Sequence, residues 1–275
     1  YNSLEKLINF QIDSGISGLV AVGTTGESAT IDFEDHIKLI EFFIKISNGR
    51  VHIIAGTGAN STDEALHLTR EAKNLGADAA LLVSPYYNKP PQEGIYRHHA
   101  KIADEVDIPQ ILYNVPSRTA SFIEPETVQR LSSHQNIMGI KDATGDMKNL
   151  YEVLKLCKED IKSKNFFLYS GDDFSSLEFL KNGGHGTISV TSNVVPEIIS
   201  EICLNVKNDF SRAKQLDDQI KELNQNLFCE SNPIPVKWAL QQMGLIKSGI
   251  RLPLVELNDS FKESVKNSLE ELNLI

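Results

Sequence analysis

Lys141 is the strongest candidate for covalent chemistry in this sequence. It closes the apolar segment that begins at Ile137, so its primary amine is predicted to lie at the end of a buried strand. A free lysine has a pKa of about 10.4 and is almost fully protonated at pH 7, whereas desolvation favours the nucleophilic free amine. A lysine in this position is therefore suited to form a Schiff base with a carbonyl substrate. The alternative is a side chain that extends from the strand end into solvent, and the strand pattern alone favours neither.

Residues 23–28, with the sequence GTTGES, follow another apolar segment and could bind an anion. The glycines allow backbone N–H groups to converge, and Thr24 and Thr25 add two hydroxyl donors. The segment contains neither the GK[ST] sequence of a P-loop nor the GxGxxG sequence of a dinucleotide fold. A carboxylate is therefore the better-sized anion. The alternative is an ordinary turn that contains glycine and is capped by its own hydroxyl groups.

Tyr113 and Arg118 come at and just after the end of a further apolar segment, residues 110–113. If this strand neighbours the one that ends in Lys141, the phenol can lie beside the amine, with Thr25 able to relay a proton. Arg118 can bind a carboxylate through two hydrogen bonds if it faces the same pocket. The alternatives are a tyrosine at the rim of the fold and an arginine in a surface salt bridge.

The elements that must position these side chains are short apolar segments that alternate with helical patterns. Their hydrophobicity is continuous rather than alternating, which indicates strands buried on both faces of a parallel sheet. Helix starts are predicted at Asp32, at Ser61 with Glu64 as a capping box, and at Asp146. The predicted strands are residues 18–22, 51–55, 79–83, 110–113, 137–141, 166–169 and 186–190.

The number and order of these elements predict an α/β fold, a (β/α)8 TIM barrel followed by a C-terminal helical extension. A helix over residues 3–14 precedes the first of the seven strands, so an eighth strand is expected before residue 1, outside this chain. An open doubly wound sheet is the alternative. Residues 194–275 carry only helical patterns. We therefore expect a barrel over residues 1–208, lacking its first strand in this chain, and the extension over residues 209–275.

Composition and charge limit the class of function. The chain has 275 residues, with 27 Lys and Arg against 37 Asp and Glu, and the net charge of −10 argues against nucleic acid or an anionic membrane as a partner. Cys157, Cys203 and Cys229 lack CxxC spacing and predict a reducing compartment, the cytoplasm. The longest apolar segments are too short to span a bilayer. No dense cluster of His, Cys and carboxylate residues follows the strands, so we expect no metal site.

Six short motifs at or after the predicted elements together resemble the class I, Schiff-base-forming, pyruvate-dependent aldolases, the family of the dihydrodipicolinate synthases. The resemblance extends from about residue 3 to residue 244, and it departs from the family at the front, where no strand with a Thr-Pro pattern precedes Tyr1. Each motif is weak alone, but all six occur in order. They are GTTGE at 23–27, SPYYNKP at 84–90, YNVPSRT at 113–119, KDATG at 141–145, SGDD at 170–173 and NPIPVK at 232–237.

The resemblance implies catalytic roles for four residues. Lys141 would form the imine with pyruvate, and Tyr113, Thr25 and Tyr87 would relay protons. Tyr87 would reach the active site of a neighbouring subunit, in a homotetramer built as a dimer of dimers. No metal or organic cofactor would be required.

The resemblance also implies how the two substrates bind. Thr24 and Thr25 would hold the carboxylate of pyruvate, and Arg118 would hold the carboxylate of L-aspartate-4-semialdehyde. The backbone around Gly171 and Ile188 would line the pocket. The implied reaction condenses the two substrates in the biosynthesis of diaminopimelate and lysine.

A regulatory site for L-lysine is a further implication of the resemblance. One of the two family histidines is replaced here by Phe33, so we expect moderate rather than tight inhibition by lysine. The alternative for Glu64 is a purely structural role at a helix start. The matching positions are Ser28, Ala29, His36, Asn60, Glu64 and Tyr86.

Other functions make different demands on the sequence. The sialic-acid lyases and keto-deoxy-sugar aldolases share the barrel, the lysine and the tyrosine, but they typically differ at Thr25 and Arg118. A non-catalytic, pyruvate-sensing or structural barrel would lack one of Lys141, Tyr113 or Thr25, and all three are present. A binder of phosphorylated sugars would need basic side chains near the glycine loops, where only His185 is found.

Overall fold

Seven β-strands form one parallel sheet in the computed structural model, which describes residues 1–275. Each strand pairs only with its neighbours in the sequence, so the spatial order is β1 to β7. A doubly wound sheet reverses its strand order part-way, and the sequential order excludes that alternative. The strands are Gly18–Ala21 (β1), His52–Gly56 (β2), Ala79–Val83 (β3), Gln110–Asn114 (β4), Ile137–Asp142 (β5), Phe167–Ser170 (β6) and Gly186–Thr187 (β7).

Helices connect the strands, and only helices follow β7. Two short 3-10 helices occur at Ser28–Thr30 and Thr191–Asn193. The α-helices are Asn2–Asp13 (α1), Phe33–Ser47 (α2), Thr62–Leu75 (α3), Gln92–Glu105 (α4), Pro116–Thr119 (α5), Pro125–Ser132 (α6), Met147–Leu156 (α7), Lys158–Lys162 (α8), Ser176–Lys181 (α9), Pro196–Asn205 (α10), Phe210–Gln219 (α11), Lys221–Asn226 (α12), Ile234–Gln242 (α13) and Asp259–Glu271 (α14).

Side chains at the predicted helix starts accept hydrogen bonds from the first turn, as expected. Asp32 accepts from the N–H of residue 35 at 2.9 Å, and Asp146 accepts from the N–H of residue 148 at 2.9 Å. Ser61 accepts from the N–H of Glu64 at 3.4 Å. The reciprocal bond of a capping box is not formed, so the Glu64 carboxylate is not used to close the start of α3.

Two elements differ from the sequence pattern. The last strand was expected over residues 186–190 but ends at Thr187, because the N–H groups of Val190 and Thr191 donate to the buried Asp173 carboxylate instead of to a strand. The helical pattern of residues 210–227 is continuous, but the structure divides it into α11 and α12 at Ile220. The N–H of Ile220 is shared between the carbonyls of residues 216 and 217, and its side chain is fully buried.

The hydrophobic core lies on both faces of the sheet. A small cluster inside the curve of the sheet includes Leu81, Ile111 and Tyr113, and larger clusters fill the space between the sheet and the helices. The largest cluster has 18 buried residues and joins α10 to the C-terminal helices. Strands β1 and β7 form the two edges of the sheet, and the strand expected before residue 1 lies outside the described chain.

Candidate active site

The carboxyl ends of β4 and β5 bring Lys141 and Tyr113 together. The two residues are register partners in the parallel ladder, so their side chains leave the sheet on the same face. The Lys141 Nζ lies 4.2 Å from the centroid of the Tyr113 ring, and Tyr113 is buried. The phenol and the amine therefore share one pocket, as the sequence predicts.

Gly171, which directly follows β6, leaves the space that the Lys141 side chain occupies. A Cβ atom at this position would lie 2.7 Å from Lys141 Cε and 2.9 Å from Ala143 Cβ, closer than side chains can approach. The N–H of Gly171 donates to the carbonyl of Asp142 at 2.7 Å, which holds the backbone close to β5. Only glycine permits this approach without moving the lysine.

The loop of residues 23–27 follows β1, and its two threonines lie between two residues with a strained backbone. Val22 and Glu27 both have a left-handed backbone, with φ of 57° and 60°. Left-handed φ is rare for residues other than glycine, above all for a β-branched residue such as valine, and such strain often accompanies functional sites. Between these residues, Thr24 and Thr25 are half-buried and line the cleft around Lys141.

Asn232 connects the two groups that are expected to bind carboxylates. Its Nδ2 donates to Thr25 Oγ1 at 3.1 Å, and its carbonyl accepts from Arg118 Nη2 at 3.3 Å. Asn232 itself is only 5% exposed. Arg118 makes no salt bridge within the chain, so its guanidinium is available to a ligand carboxylate.

These residues line the part at the carboxyl ends of the strands of a cleft whose total volume is about 1290 Å³. The same cleft continues between the edge strands β1 and β7 and along α1. Of the predicted catalytic and substrate-binding residues, those that line it are Thr24, Thr25, Tyr113, Arg118, Lys141, Gly171 and Ile188; Ser28 of the predicted lysine site lines it as well.

Two buried carboxyl groups flank the lysine strand. Burial raises the pKa of Asp173, although the N–H groups of Thr191 and Val190 and the charge of Lys141 act in the opposite direction. Burial also raises the pKa of Asp142, which accepts a hydrogen bond from Asn149 at 2.6 Å. Asp173 accepts from the N–H groups of Val190 and Thr191, Asp142 accepts from the N–H of Thr144, and neither residue lines the cleft.

Comparison with known proteins decides the family. The profile of the Dihydrodipicolinate synthetase family matches residues 1–272. The chain belongs to this family. The 4-hydroxy-tetrahydrodipicolinate synthase of Alcanivorax borkumensis is 49% identical over 276 residues, which cover 100% of this chain and 92% of that relative.

Solved structures of family members share the fold. The chloride-inhibited dihydrodipicolinate synthase of Acinetobacter baumannii, complexed with pyruvate, is 49% identical, with a TM-score of 0.95 over 100% of this chain and 93% of that one. The Cyanidioschyzon merolae enzyme with lysine bound is 33% identical, with a TM-score of 0.94 over 100% and 92% of the two chains. The predicted TIM barrel with a C-terminal helical region is thereby confirmed, and this chain contains seven of its strands.

Two members of the predicted proton relay, Thr25 and Tyr87, form no hydrogen bond with Tyr113 within a single chain. The Thr25 hydroxyl bonds to Asn232 rather than to Tyr113. Tyr87 does not line the cleft, and it is 89% exposed on a loop after β3, with a left-handed φ of 73°. An exposed aromatic residue held in a strained conformation fits a role outside its own chain.

Asn232 and the Glu27 carboxylate are site components that the sequence analysis did not assign. Both belong to motifs that carry the resemblance, GTTGE and NPIPVK. The motif order is the only sequence signal that could have drawn attention to them, because nothing local links residues more than 200 positions apart.

The residues implied in lysine binding form a second group near the site loop. His36 Nε2 lies 2.7 Å from the Gly56 carbonyl; burial lowers the pKa of His36, and that bond and Glu64 act against the change. Burial, and then the charge of Glu64, raise the pKa of Tyr86, whereas a contact with the Asn60 backbone lowers it. The charge of Glu64 thus acts on both His36 and Tyr86.

The other members of this group lie around it. Ser28 and Ala29 belong to the 3-10 helix that directly follows Glu27. Phe33 stacks on His67, with ring centroids 4.8 Å apart, so the residue that replaces a family histidine packs within the chain.

No three His, Cys, Asp or Glu side chains lie close enough together to hold a metal ion. No helix is both long and apolar enough to cross a membrane. All three cysteines are free thiols.

Proposed function

We propose that this protein is a lyase that condenses pyruvate with L-aspartate-4-semialdehyde to 4-hydroxy-tetrahydrodipicolinate, in the biosynthesis of diaminopimelate and lysine. The observation that carries the proposal is Lys141 at the end of β5, with Tyr113 beside it and Gly171 leaving room for its side chain. The names of the curated relatives at about half identity over the full chain support the same reaction. They favour it over the cleavage of sialic acids or keto-deoxy sugars.

Lys141 is the nucleophile in the proposed mechanism. Its amine attacks the ketone carbon of pyruvate, and loss of water forms a protonated imine. The imine withdraws electrons, so a methyl proton leaves and an enamine forms. Tyr113 is placed to pass protons during these steps, with Thr25 and the Tyr87 of a neighbouring subunit as the further members of the relay. Thr24, Thr25 and the loop N–H groups hold the pyruvate carboxylate.

The enamine carbon then attacks the aldehyde of the second substrate. Arg118 holds the carboxylate of that substrate, and the absence of an internal salt bridge leaves its guanidinium free to do so. The backbone at Gly171 and Ile188 completes the pocket. Attack of the amino group on the former ketone carbon closes the ring and releases Lys141. No cofactor takes part in any of these steps.

Borohydride trapping tests the nucleophile. Reduction in the presence of pyruvate should add one pyruvate-derived group to the wild-type chain, located at Lys141 by peptide mass analysis. The variant Lys141→Ala should lose both the adduct and turnover by several orders of magnitude, because covalent activation is lost. Lys155→Ala, at an exposed lysine of α7, is the matched control and should trap like the wild type. A Lys141→Ala variant with a near-normal rate would exclude the imine mechanism.

We also propose a homotetramer, built as a dimer of dimers, that works in the cytoplasm. The exposed Tyr87 supports a site shared between two subunits. The three free cysteines suit a reducing compartment.

We further propose that L-lysine binds at Glu64 and inhibits the enzyme. Glu64 makes no salt bridge within the chain, so its carboxylate is available to an ammonium group, and its charge raises the pKa of both His36 and Tyr86. The lysine-bound enzyme of Cyanidioschyzon merolae shows that one relative binds this amino acid. Loss of one histidine hydrogen bond at Phe33, about 1 kcal/mol, predicts roughly fivefold weaker binding than in members with both histidines.

Titration calorimetry with L-lysine tests this site. We expect saturable binding below millimolar concentration in the wild type, weakened about tenfold or more in Glu64→Gln because a charge-assisted hydrogen bond is lost. Glu71→Gln, on the same helix, should bind like the wild type. An absence of heat at millimolar lysine would leave Glu64 with no more than a structural role.

A further inference from the structure

Glu27, the last residue of the loop 23–27, is a charged residue that is only 6% exposed. Its φ of 60° and ψ of 32° are left-handed. A side chain with a Cβ atom is strained in this region, and burial of a carboxylate costs free energy. Both features persist only where surrounding contacts hold them in place.

Two cations and one N–H group from the C-terminal helical region surround this carboxylate. Lys237 Nζ donates to Oε2 of Glu27 at 2.5 Å, and Arg251 donates through its backbone N–H to Oε1 at 2.7 Å and through Nη1 to Oε2 at 3.1 Å. Burial alone would raise the pKa of Glu27. The N–H of Arg251 and the two cations outweigh burial, so the pKa lies below its usual value and the group is ionised at neutral pH.

The segment that supplies Lys237 holds the same loop at a second point. Asn232, five residues earlier, donates its side-chain N–H to Thr25 Oγ1 at 3.1 Å. Thr25 and Glu27 are two residues apart, so the segment 232–237 contacts both the middle and the end of the loop. The N–H of Glu27 in turn donates to the Thr24 carbonyl at 3.1 Å, which closes a turn around the two threonines.

We propose that the cluster of Glu27, Lys237 and Arg251 positions the threonine hydroxyls and loop N–H groups that bind the keto-acid carboxylate, an inference that rests on the proposed function. Glu27 and the two cations border the same cleft as Lys141, but Glu27 is a positioning residue because both of its carboxylate oxygens are occupied by Lys237 and Arg251. When the cluster is broken, the left-handed turn relaxes and the donors separate. The affinity for pyruvate then falls while the lysine chemistry is retained. The C-terminal helical region is thus part of the substrate site.

Variants at both sides of the ion pair test the proposal. In Glu27→Gln and Lys237→Met, the pyruvate concentration that gives half-saturation should rise about tenfold, because a charge-assisted contact is lost. This concentration is measured both in steady-state turnover and in borohydride trapping. Turnover at saturating pyruvate should fall by less than about threefold, because Lys141 and Tyr113 are untouched. Lys237→Arg keeps the cation and should restore half-saturation to within about twofold of the wild type.

A matched control separates positioning from general loss of stability. Glu201 forms a comparable pair of hydrogen bonds with Arg212, at 3.0 and 3.2 Å, between α10 and α11 and outside the loop. Glu201→Gln should change the melting temperature but not half-saturation by pyruvate. A purely structural role of Glu27 would lower the active fraction, and hence turnover, without changing half-saturation.

The outcomes separate this inference from the proposed function. A wild-type chain that gives no pyruvate adduct would overturn the proposed function. A wild type that traps pyruvate, with unchanged half-saturation in folded Glu27→Gln and Lys237→Met, would overturn the positioning role alone. If Glu27→Gln does not fold, Lys237→Met decides, because the Lys237 side chain is 21% exposed and its loss leaves Arg251 on the carboxylate.

Discussion

At the scale of single residues, the pocket around Lys141 depends on the lack of a side chain at Gly171 as much as on the side chains that are present. Gly171 lies against the aliphatic part of Lys141, and a methyl group there would lie 2.7 Å from Cε. Lys141 would have to leave its rotamer or β6 would have to move, since packed interiors have little free space. The reactive amine would then no longer lie over the Tyr113 ring.

We therefore predict that Gly171→Ala lowers kcat about a hundredfold, because misplacement of a reacting group by about 1 Å has effects of that size. Steady-state kinetics and the rate of borohydride trapping measure the change. Gly18→Ala is the control, because Gly18 starts β1 at the opposite end of the sheet and a Cβ there would make contacts no closer than 3.4 Å. Equal kcat and trapping rates for the two variants would show that the pocket can accommodate the added methyl group.

At the scale of the element, helix α4 carries a buried pair of histidines outside the site. The rings of His98 and His99 pack edge to face, with centroids 4.9 Å apart. His98 Nδ1 lies 2.9 Å from the Thr62 hydroxyl, whereas neither ring nitrogen of His99 has a partner. Burial lowers the pKa of His98 to about 4, and burial and then the charge of His98 lower the pKa of His99 further.

This pair predicts a loss of stability in mild acid. The unfolded chain takes up protons near pH 6.5 while the folded state keeps both rings neutral, so stability is present above pH 6.5 and is lost as the pH falls toward 4. For His98 alone, the difference between 6.5 and about 4 corresponds to roughly 3 kcal/mol. Buried carboxyls with a raised pKa, such as Asp142, change the stability in the opposite direction as the pH falls. A histidine variant is therefore needed to separate the contribution of the histidines.

His99→Leu removes one of the buried rings and should flatten the pH dependence of the free energy of unfolding by up to about 1.4 kcal/mol per pH unit. Urea denaturation at pH 7.5 and at pH 5 measures this difference. The exposed residue His52 supplies the control variant His52→Leu, which should retain the wild-type slope. A His99→Leu variant with the wild-type slope would show that the pair does not govern acid stability.

At the scale of the whole molecule, one proposed catalytic residue points away from its own chain. Tyr87 is 89% exposed and does not line the cleft, whereas the other predicted catalytic side chains do. The proposed relay is therefore incomplete within a single chain. In a symmetric dimer, each subunit can complete the site of the other.

Mixing two defective variants tests this arrangement. Tyr87→Phe subunits keep Lys141, and Lys141→Ala subunits supply an intact Tyr87, so each hybrid dimer has one complete site. Random exchange in an equal mixture should restore up to about one quarter of wild-type activity, because half of the dimers are hybrid. Unmixed samples of each variant are the controls. Mass spectrometry that shows hybrids without any gain in activity would contradict a shared site.

The amino-acid sequence alone is enough to predict the order of the elements and the residues that follow each strand. Continuous apolar segments of four or five residues are a local property, and the seven predicted strands lie within a few residues of the observed ones. Strand ends meet at one edge of a parallel barrel, so the residues that follow each strand predict the composition of the pocket. Lys141, Tyr113, Thr25 and Arg118 were predicted in this way, whereas Gly171 came from the resemblance to the family, and the roles of all five stay predictions. The division into residues 1–208 and 209–275 stays a prediction.

The polar contacts that hold the site together are visible only in the folded chain. Thr25 contacts Asn232 across 207 positions in the sequence, and Glu27 contacts Lys237 across 210 and Arg251 across 224. Such contacts leave no periodic signal, because polar residues on loops follow neither the strand nor the helix repeat. Similarly, Asp173 accepts from the N–H of Val190, which the apolar pattern had assigned to the last strand, and from the N–H of Thr191 just after it. A buried carboxylate must find its partners wherever the folded chain places them, and no local pattern specifies that place.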